Sequence, residues 1–318
     1  MASQTLKVFA GGSNRPLATK ICHHLGMRLG DARVERFADG EVRIKIEEDV
    51  RGTDVFLVQP TCAPVDTRLM ELLLMIDAFR RASAERITAV VPYFGYARQD
   101  RKDEGRVPIS AKLVSNMITT AGAHRLLALD LHAHQLQGFF DIPVDHLYAA
   151  PVFMRHFKAQ KIPDLIVVAP DVGSSKLARG YAKRLHAGLA IVDKRRTSDS
   201  ETEVMSVIGE VDGHNVLLVD DMITTAGSIT QAATKVKQMG ARDIYIAATH
   251  AVLCGSAMSR LEEAPVKEIV LTDTIPLAEE KRRQNIKVLS VARLLGEAIL
   301  RIHHSESVSS LFQLEDEE

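Results

Sequence analysis

Cysteine is scarce in this sequence: Cys22, Cys62 and Cys254 are the three in a chain of 318 residues. Their odd number and wide spacing exclude a disulfide framework and suit a reducing compartment. Charge of one sign is lacking too. The formal net charge is −1, so no strong field marks nucleic acid as the main partner. No apolar run is long enough to span a bilayer. The opening MASQTLKVFAGG enters a strand almost at once, without the pattern of a signal peptide. The expectation is a soluble cytoplasmic protein, with no membrane partner. What the chain does have is core-building material, a hydrophobic share of 46% over a length sufficient for two ordinary domains.

The most informative stretch is HNVLLVDDMITTAGSIT, His214 to Thr230. Val216 to Val219 reads as a buried parallel strand, with Asp220 and Asp221 where that strand should end. Thr224, Thr225, Ala226, Gly227 and Ser228 then lead into a helix whose apolar face is Ile229, Ala232, Ala233, Val236 and Met239, with Gly240 as its stop. A small-residue turn at a helix N-terminus gathers free backbone N–H groups and the positive end of the helix dipole, a place for a phosphate. The acidic pair cannot face that same phosphate. It either caps locally or faces hydroxyls or a cation, and phosphate plus vicinal hydroxyls describes a ribose phosphate.

Other stretches carry chemistry less decisively. Val34 to Phe37 leads through Ala38-Asp39-Gly40-Glu41 into the alternating strand Val42, Ile44, Ile46, by itself a hairpin connection. Leu69, Leu72, Leu73, Ile76 and Phe79 form a core-facing helical stripe. PYFGYARQDRK, Pro92 to Lys102, packs aromatics and cations into a loop that is either a solvated basic turn or a surface able to stack a base and neutralise a polyphosphate. Asp130, His132 and His134 follow a strand, with Asp141 and Asp145 farther on. The spacing lacks the partners zinc needs, leaving structural histidines or an oxygen-rich site of the kind magnesium prefers. Asp171 ends another strand and precedes Val172-Gly173-Ser174-Ser175. Lys194, Arg195 and Arg196 open a polar segment, Thr197 to Glu203, which is either a basic hairpin or a flap that brings cations to a transferring phosphoryl group.

Alternating strands and helices argue for α/β architecture with mainly parallel sheets, and Asp130, Asp171 and Asp220 fall at strand carboxyl ends, where such sheets bind ligands. Two-fold use of strand–turn–helix units, with halves meeting around Leu147 to Pro151, suggests an internal duplication.

The stretch Val216 to Ser228 resembles the phosphoribosyl pyrophosphate (PRPP) loop of the type I phosphoribosyltransferases. VVPYFGYARQDRK resembles the signature of the ribose-phosphate pyrophosphokinases, or PRPP synthetases, and DLHAHQ agrees with it. The resemblance runs from about Lys7 to Phe312, essentially the whole chain. It implies two similar phosphoribosyltransferase-like domains, 1–148 on the ATP side and 149–318 on the ribose 5-phosphate side, with the C-terminal tail packing on the first.

The implied reaction joins ATP and ribose 5-phosphate to give AMP and PRPP, with Mg2+ as cofactor. By the same resemblance Lys194 and Arg196 are catalytic, and Arg196 also contacts ribose 5-phosphate. Phe37, Asp39, Gly40, Glu41, Arg98, Gln99 and Asp103 match ATP-contacting positions. Asp220, Asp221 and Thr224 to Ser228 match the ribose 5-phosphate site; His132 and Asp171, with Asp130, Asp141 and Asp145, match the metal site.

The resemblance also implies a homohexamer, activated by inorganic phosphate at a regulatory site matched by Arg51, Ser83, Ser307 and Ser309. Asp49 nearby would repel an anion there. Two departures stand out. Ser174 and Ser175 occupy positions where family members often carry glycine. Thr224 stands where pyrophosphokinases commonly have Asp and transferases Thr. The second departure favours an alternative, a transferase that consumes PRPP, though such an enzyme does not explain ARQD or DLHAHQ. A non-catalytic regulatory relative and a nucleotide-binding structural module are the other readings; intact Lys194, Arg196, His132 and Asp171 speak against the former.

Overall fold

Short runs of buried aliphatic residues alternate with amphipathic helices along the chain, and the computed structural model assembles them into two units. It describes the backbone of residues 5–196 and 203–312 and the side chains of 5–193 and 205–311.

The first unit comprises residues up to Ala149, Thr274–Pro276 and residues from Ser290 on. In chain order it holds β1 (Leu6–Ala10), α1 (Arg15–His24), β2 (Ala32–Arg36), β3 (Val42–Ile46), β4 (Asp54–Val58), α2 (Val65–Arg81), β5 (Arg86–Val91), α3 (Ser110–Ala121), β6 (Arg125–Leu129) and β7 (Val144–Leu147). The strands β1-β4-β5-β6-β7 form a parallel sheet in that order. Every residue of β4, DVFLV, is buried, as a strand covered on both faces requires. Leu69, Leu72, Ile76 and Phe79 of α2 lie in the core beside this sheet, as their helical spacing predicts. β2 and β3 form a separate antiparallel hairpin, whose Val34, Ile44 and Ile46 pack against the same core while Arg43 and Lys45 face solvent.

The second unit, Ala150–Asp273 with Leu277–Leu289, holds α4 (Ala150–Gln160), β8 (Leu165–Ala169), α5 (Ser175–Leu185), β9 (Gly188–Arg196), β10 (Glu203–Ile208), β11 (Asn215–Ile223), α6 (Gly227–Gln238), β12 (Ile244–Ala251), α7 (Ala257–Glu263), β13 (Glu268–Thr272) and β14 (Ile286–Leu289). Its sheet order is β10-β9-β8-β11-β12-β13-β14, parallel except for the β9–β10 pair. The expected architecture, two mainly parallel sheets flanked by helices, is what forms.

The chain then returns to the first unit as α8 (Ala292–His303), which packs on α1. Its His303 Nδ1 lies 2.8 Å from Asp54 Oδ2, and Asp54 also takes two hydrogen bonds from the Arg86 guanidinium.

Three local expectations need correction. β11 does not stop at Val219 but runs through both aspartates to Ile223, because β12 keeps pairing with it to Ala251 after β8 has ended. Met239 is 36% exposed rather than core, since α6 closes at Gln238 and Gly240 takes the left-handed turn at φ +92°. Lys194–Arg196 belong to β9 itself, paired antiparallel with β10; residues 197–202 of the expected flap lie outside the described residues. Among the described residues no helix is long and apolar enough to cross a membrane.

Candidate active site

In the second unit the small-residue turn Thr224–Ala226 joins the end of β11 to Gly227, the first residue of α6. Ala226 is buried and held at φ +62°, a left-handed conformation that costs an alanine about 1 kcal/mol. Such strain is sustained only where surrounding bonds overdetermine it. Here the carbonyls are tied from behind: Leu253 N–H donates to Ile223 O at 2.9 Å, Cys254 N–H to Thr224 O at 2.9 Å, and Arg260 Nη1 to Thr225 O at 3.0 Å. The N–H groups of Thr225 to Ser228 have no protein acceptor among the described residues, as expected of a first helical turn open to an anion.

Beside this turn the chain concentrates negative charge. Ser174 Oγ lies 3.0 Å from Asp171 Oδ1 and 3.0 Å from Asp220 Oδ1, and Ser174 N–H donates to Asp171 Oδ1 at 2.9 Å. One hydroxyl hydrogen cannot be donated to both carboxylates at once. Asp220 is the carboxyl that keeps a proton. Burial, with the charges of Asp221 and Asp171 adding, pushes its carboxyl up to about 8.

That proton links stability to pH. The unfolded chain releases it near the ordinary aspartate value, about 3.9, whereas the folded chain keeps it to about 8. Fewer protons bound in the unfolded state mean that stability falls as pH rises between those limits. Asp220→Asn removes the titration while keeping the shape. The variant is expected to be more stable than the parent by over about 1 kcal/mol at pH 8, with little difference at pH 4. Urea unfolding at both pH values measures this, and an equal difference at both would rule it out.

The first unit places its nucleotide candidates on two segments. Phe37, Asp39, Gly40 and Glu41 form the tip of the β2–β3 hairpin, closed by Phe37 N–H to Glu41 O at 2.9 Å and Glu41 N–H to Asp39 Oδ1 at 3.1 Å, with Gly40 at φ +94°. Phe37 is 50% exposed, and the Arg43 guanidinium lies 5.6 Å from its ring centroid. It is a half-exposed aromatic ring with a cation over one face.

Arg98, Gln99 and Asp103 lie in the second segment, the loop between β5 and α3. Gln99 N–H donates to Tyr96 O at 2.9 Å, and the Ser110 hydroxyl bonds the Gln99 side chain. The glycine of PYFGYARQDRK is required by close approach, since a Cβ on Gly95 would lie 2.5 Å from Thr61 O. Base stacking by this motif's own aromatics is not supported for Phe94, which is buried edge-on against Phe140 at 5.8 Å.

Asp130 is buried at φ +40° and accepts from Ala149 N–H at 3.0 Å, which holds the carboxyl ends of β6 and β7 together. His146 Nε2 accepts from Leu131 N–H at 2.9 Å, and the rings of His134, His146 and Tyr148 lie 4.6–5.8 Å apart. Asp145 does not join a metal set, because Arg125 Nη1 holds its Oδ2 at 2.5 Å near the opposite end of these strands. Asp141 lies exposed in the preceding loop. Among the described residues no three His, Cys, Asp or Glu side chains are placed to hold a metal ion by themselves. The expected five-ligand set is therefore not a preformed cage. The oxygen donors Asp171 and Asp220, both in contact with the Ser174 hydroxyl, nevertheless fit a hard cation that keeps waters and binds mainly through substrate phosphates.

Of the expected catalytic pair, Lys194 and Arg196 are placed by backbone alone, opposite Met205 and Glu203 in the β9–β10 ladder; their side chains lie outside the described residues. Of the regulatory candidates, the turn after Arg51 meets that of Ser83 through Gly52 N–H to Ser83 O at 2.9 Å. Ser307 and Ser309 follow α8, with Ser309 N–H donating to Ser307 Oγ at 3.2 Å. Asp49 Oδ1 is occupied by Arg51 N–H at 3.0 Å. Sequence reasoning noted Ser174 only as a departure and missed Arg260; the latter lies 35 residues from its partner Thr225 and carries no local signal.

Comparison with known proteins gives a consistent set. A model described as the N-terminal domain of ribose phosphate pyrophosphokinase matches residues 6–122, and one described as a phosphoribosyl synthetase-associated domain matches 197–313. A ribose-phosphate pyrophosphokinase of Rhodopirellula baltica is 59% identical over 97% of this chain and 98% of its own length. One from Caldanaerobacter subterraneus is 55% identical over 98% of each. The crystal structure of phosphoribosylpyrophosphate synthetase from Mycobacterium smegmatis superposes with a TM-score of 0.90 at 40% identity, covering 95% of this chain and all of that one.

Proposed function

The chain belongs to the ribose-phosphate pyrophosphokinase family, and from that premise we propose that it transfers the β,γ-diphosphoryl group of ATP to the 1-hydroxyl of ribose 5-phosphate, giving PRPP and AMP. The observation that carries this reading is the carboxyl edge of the second sheet. There, N–H groups of Thr225 to Ser228 that have no acceptor among the described residues sit beside the Asp220–Asp221 pair, complementary to a phosphate and to ribose hydroxyls.

Each residue has a distinct task. Thr224 to Ser228 hold the 5-phosphate, the Thr225 to Ser228 N–H groups aimed at its oxygens. Asp220 and Asp221 accept hydrogen bonds from the ribose hydroxyls and so orient the 1-hydroxyl for in-line attack. Phe37 stacks on the base, while Asp39, Gly40, Glu41, Arg98, Gln99 and Asp103 contact the rest of ATP. Lys194 and Arg196 neutralise the transferring group, and Arg196 also contacts ribose 5-phosphate. The residues proposed to face a metal are His132 and Asp130 in the first unit and Asp171 in the second, each taken by itself; Mg2+, when bound, would supply charge neutralisation on phosphate oxygens.

A homohexameric, cytoplasmic enzyme for nucleotide biosynthesis, without nucleic-acid partners, completes the proposal. The Arg51 and Ser83 turns, with Ser307 and Ser309, are its phosphate-responsive positions, and the charge of Asp49 beside them opposes an incoming anion.

Incubation with ATP, ribose 5-phosphate and Mg2+ is expected to release AMP and PRPP in equal amounts. Titration of inorganic phosphate in the same assay should raise the rate, and a flat response would remove the regulatory assignment. Thr224 favours one competing reading, a PRPP-consuming transferase. That enzyme would release pyrophosphate from PRPP and a nucleobase and no AMP from ATP.

A further inference from the structure

We propose that Arg260 is a positioning residue for ribose 5-phosphate: held on α7, it fixes the direction of a backbone N–H in the phosphate turn without touching the substrate. The proposal rests on the ribose 5-phosphate reading of that turn.

In a trans peptide the carbonyl and the N–H point in opposite directions. Tying a carbonyl from behind therefore aims the next residue's N–H forward. Cys254 N–H does this at Thr224 O, at 2.9 Å, and so aims the N–H of Thr225. Arg260 Nη1 does it at Thr225 O, at 3.0 Å, and so aims the N–H of Ala226. Ala226 sits at φ +62°, the left-handed conformation that gathers successive N–H groups into an anion-binding concavity. The two anchors differ in kind. The first is backbone and survives any side-chain change. The second is a single guanidinium bond, so the Thr225–Ala226 peptide is the weak point of the turn.

The placement of Arg260 supports an indirect role. Its guanidinium lies against the Cα side of Gly227, where an added Cβ would come within 3.1 Å of Nη1. It also lines a cleft of about 530 Å³ with Thr234, Lys235 and Gln238 of α6 and Glu263 of α7. Ala257 and Leu261 anchor α7 in the core, which holds the arginine at a set height beside the turn.

The test compares wild type, Arg260→Ala, Arg260→Lys and the cleft control Lys235→Ala. AMP-release kinetics are measured with each substrate varied in turn at a saturating concentration of the other, and ribose 5-phosphate binding by calorimetry. Arg260→Ala is expected to raise KM and Kd for ribose 5-phosphate about tenfold, the worth of one charge-assisted hydrogen bond. KM for ATP and kcat should stay within about twofold. Arg260→Lys keeps a donor and should recover most of the loss, and Lys235→Ala should match wild type. Unchanged ribose 5-phosphate binding in Arg260→Ala would overturn the proposal. So would a parallel fall in kcat and both affinities that Arg260→Lys fails to rescue, since that pattern marks a merely structural role. A wild type that binds ribose 5-phosphate but releases no AMP would sink the proposed reaction instead, and the calorimetric Kd values would still decide the role of Arg260.

Discussion

Replacing Lys194 with alanine is expected to lower turnover by about 10²–10³-fold, roughly 2.7–4 kcal/mol of lost transition-state stabilisation. Transfer of a diphosphoryl group involves little covalent chemistry for a protein to perform. Charge spreads over the equatorial oxygens of the group in flight, and positioned cations lower the barrier by meeting it. Lys194 is the first residue of the Lys-Arg-Arg run at the end of β9, where the hairpin leaves the body of the second sheet. A cation needed only in the transition state leaves ground-state binding largely unaltered. The affinity for ATP, measured by equilibrium binding, should therefore change far less than kcat. Turnover near wild type in Lys194→Ala would remove the assignment, and a rise in KM for ATP at unchanged kcat would turn it into a ground-state contact.

The second large effect is on stability. Asp54 is fully buried and carries both the Arg86 guanidinium and His303. The bond to Asp54 holds Arg86 above its ordinary pKa, so the guanidinium stays charged at every practical pH. Arg86 Nη2 also donates to Ile302 O at 3.2 Å, so one cluster ties β4, β5 and α8. Removing one partner of such a pair strands a buried charge, and Arg86→Ala is expected to cost about 3–5 kcal/mol. Calorimetry should show the transition of the first unit lowered by roughly 10 °C. The double variant Asp54→Asn, Arg86→Ala leaves no orphaned charge and should lose less than the single one. A double variant as unstable as the sum of its singles would mean that the cost is packing rather than charge.

Much of the fold follows from patterns of short range. The β1 range is readable because five consecutive residues must all pair and mostly be buried. α2 is readable because its apolar residues recur at helical spacing. The hairpin at Asp39 and the helix stop at Gly240 are readable because each needs a special backbone conformation at one named residue. The β14 edge of the second sheet was less legible. β14 is four residues long with no fully buried position, so periodicity had nothing to register. The length of β11 depended on where its neighbours β8 and β12 end, which no window around Asp220 contains.

The candidate site divides along the same line. The sequence by itself determined the chemical inventory: a small-residue turn ahead of α6, paired carboxylates before it, a basic run after Asp193, and a motif-rich first half. These are contiguous, so composition and spacing suffice to find them. Only the tertiary structure decided which members of that inventory remain available. It committed Asp145 to Arg125, buried Phe94 against Phe140 while leaving Phe37 open, joined Asp171 and Asp220 through Ser174, and placed Arg260 behind Thr225. Each of those outcomes hangs on a contact between segments remote along the chain, or on how much of a ring the core covers. A linear pattern carries no record of either, because distance along a chain ceases to measure distance in space once parallel strands bring remote segments side by side.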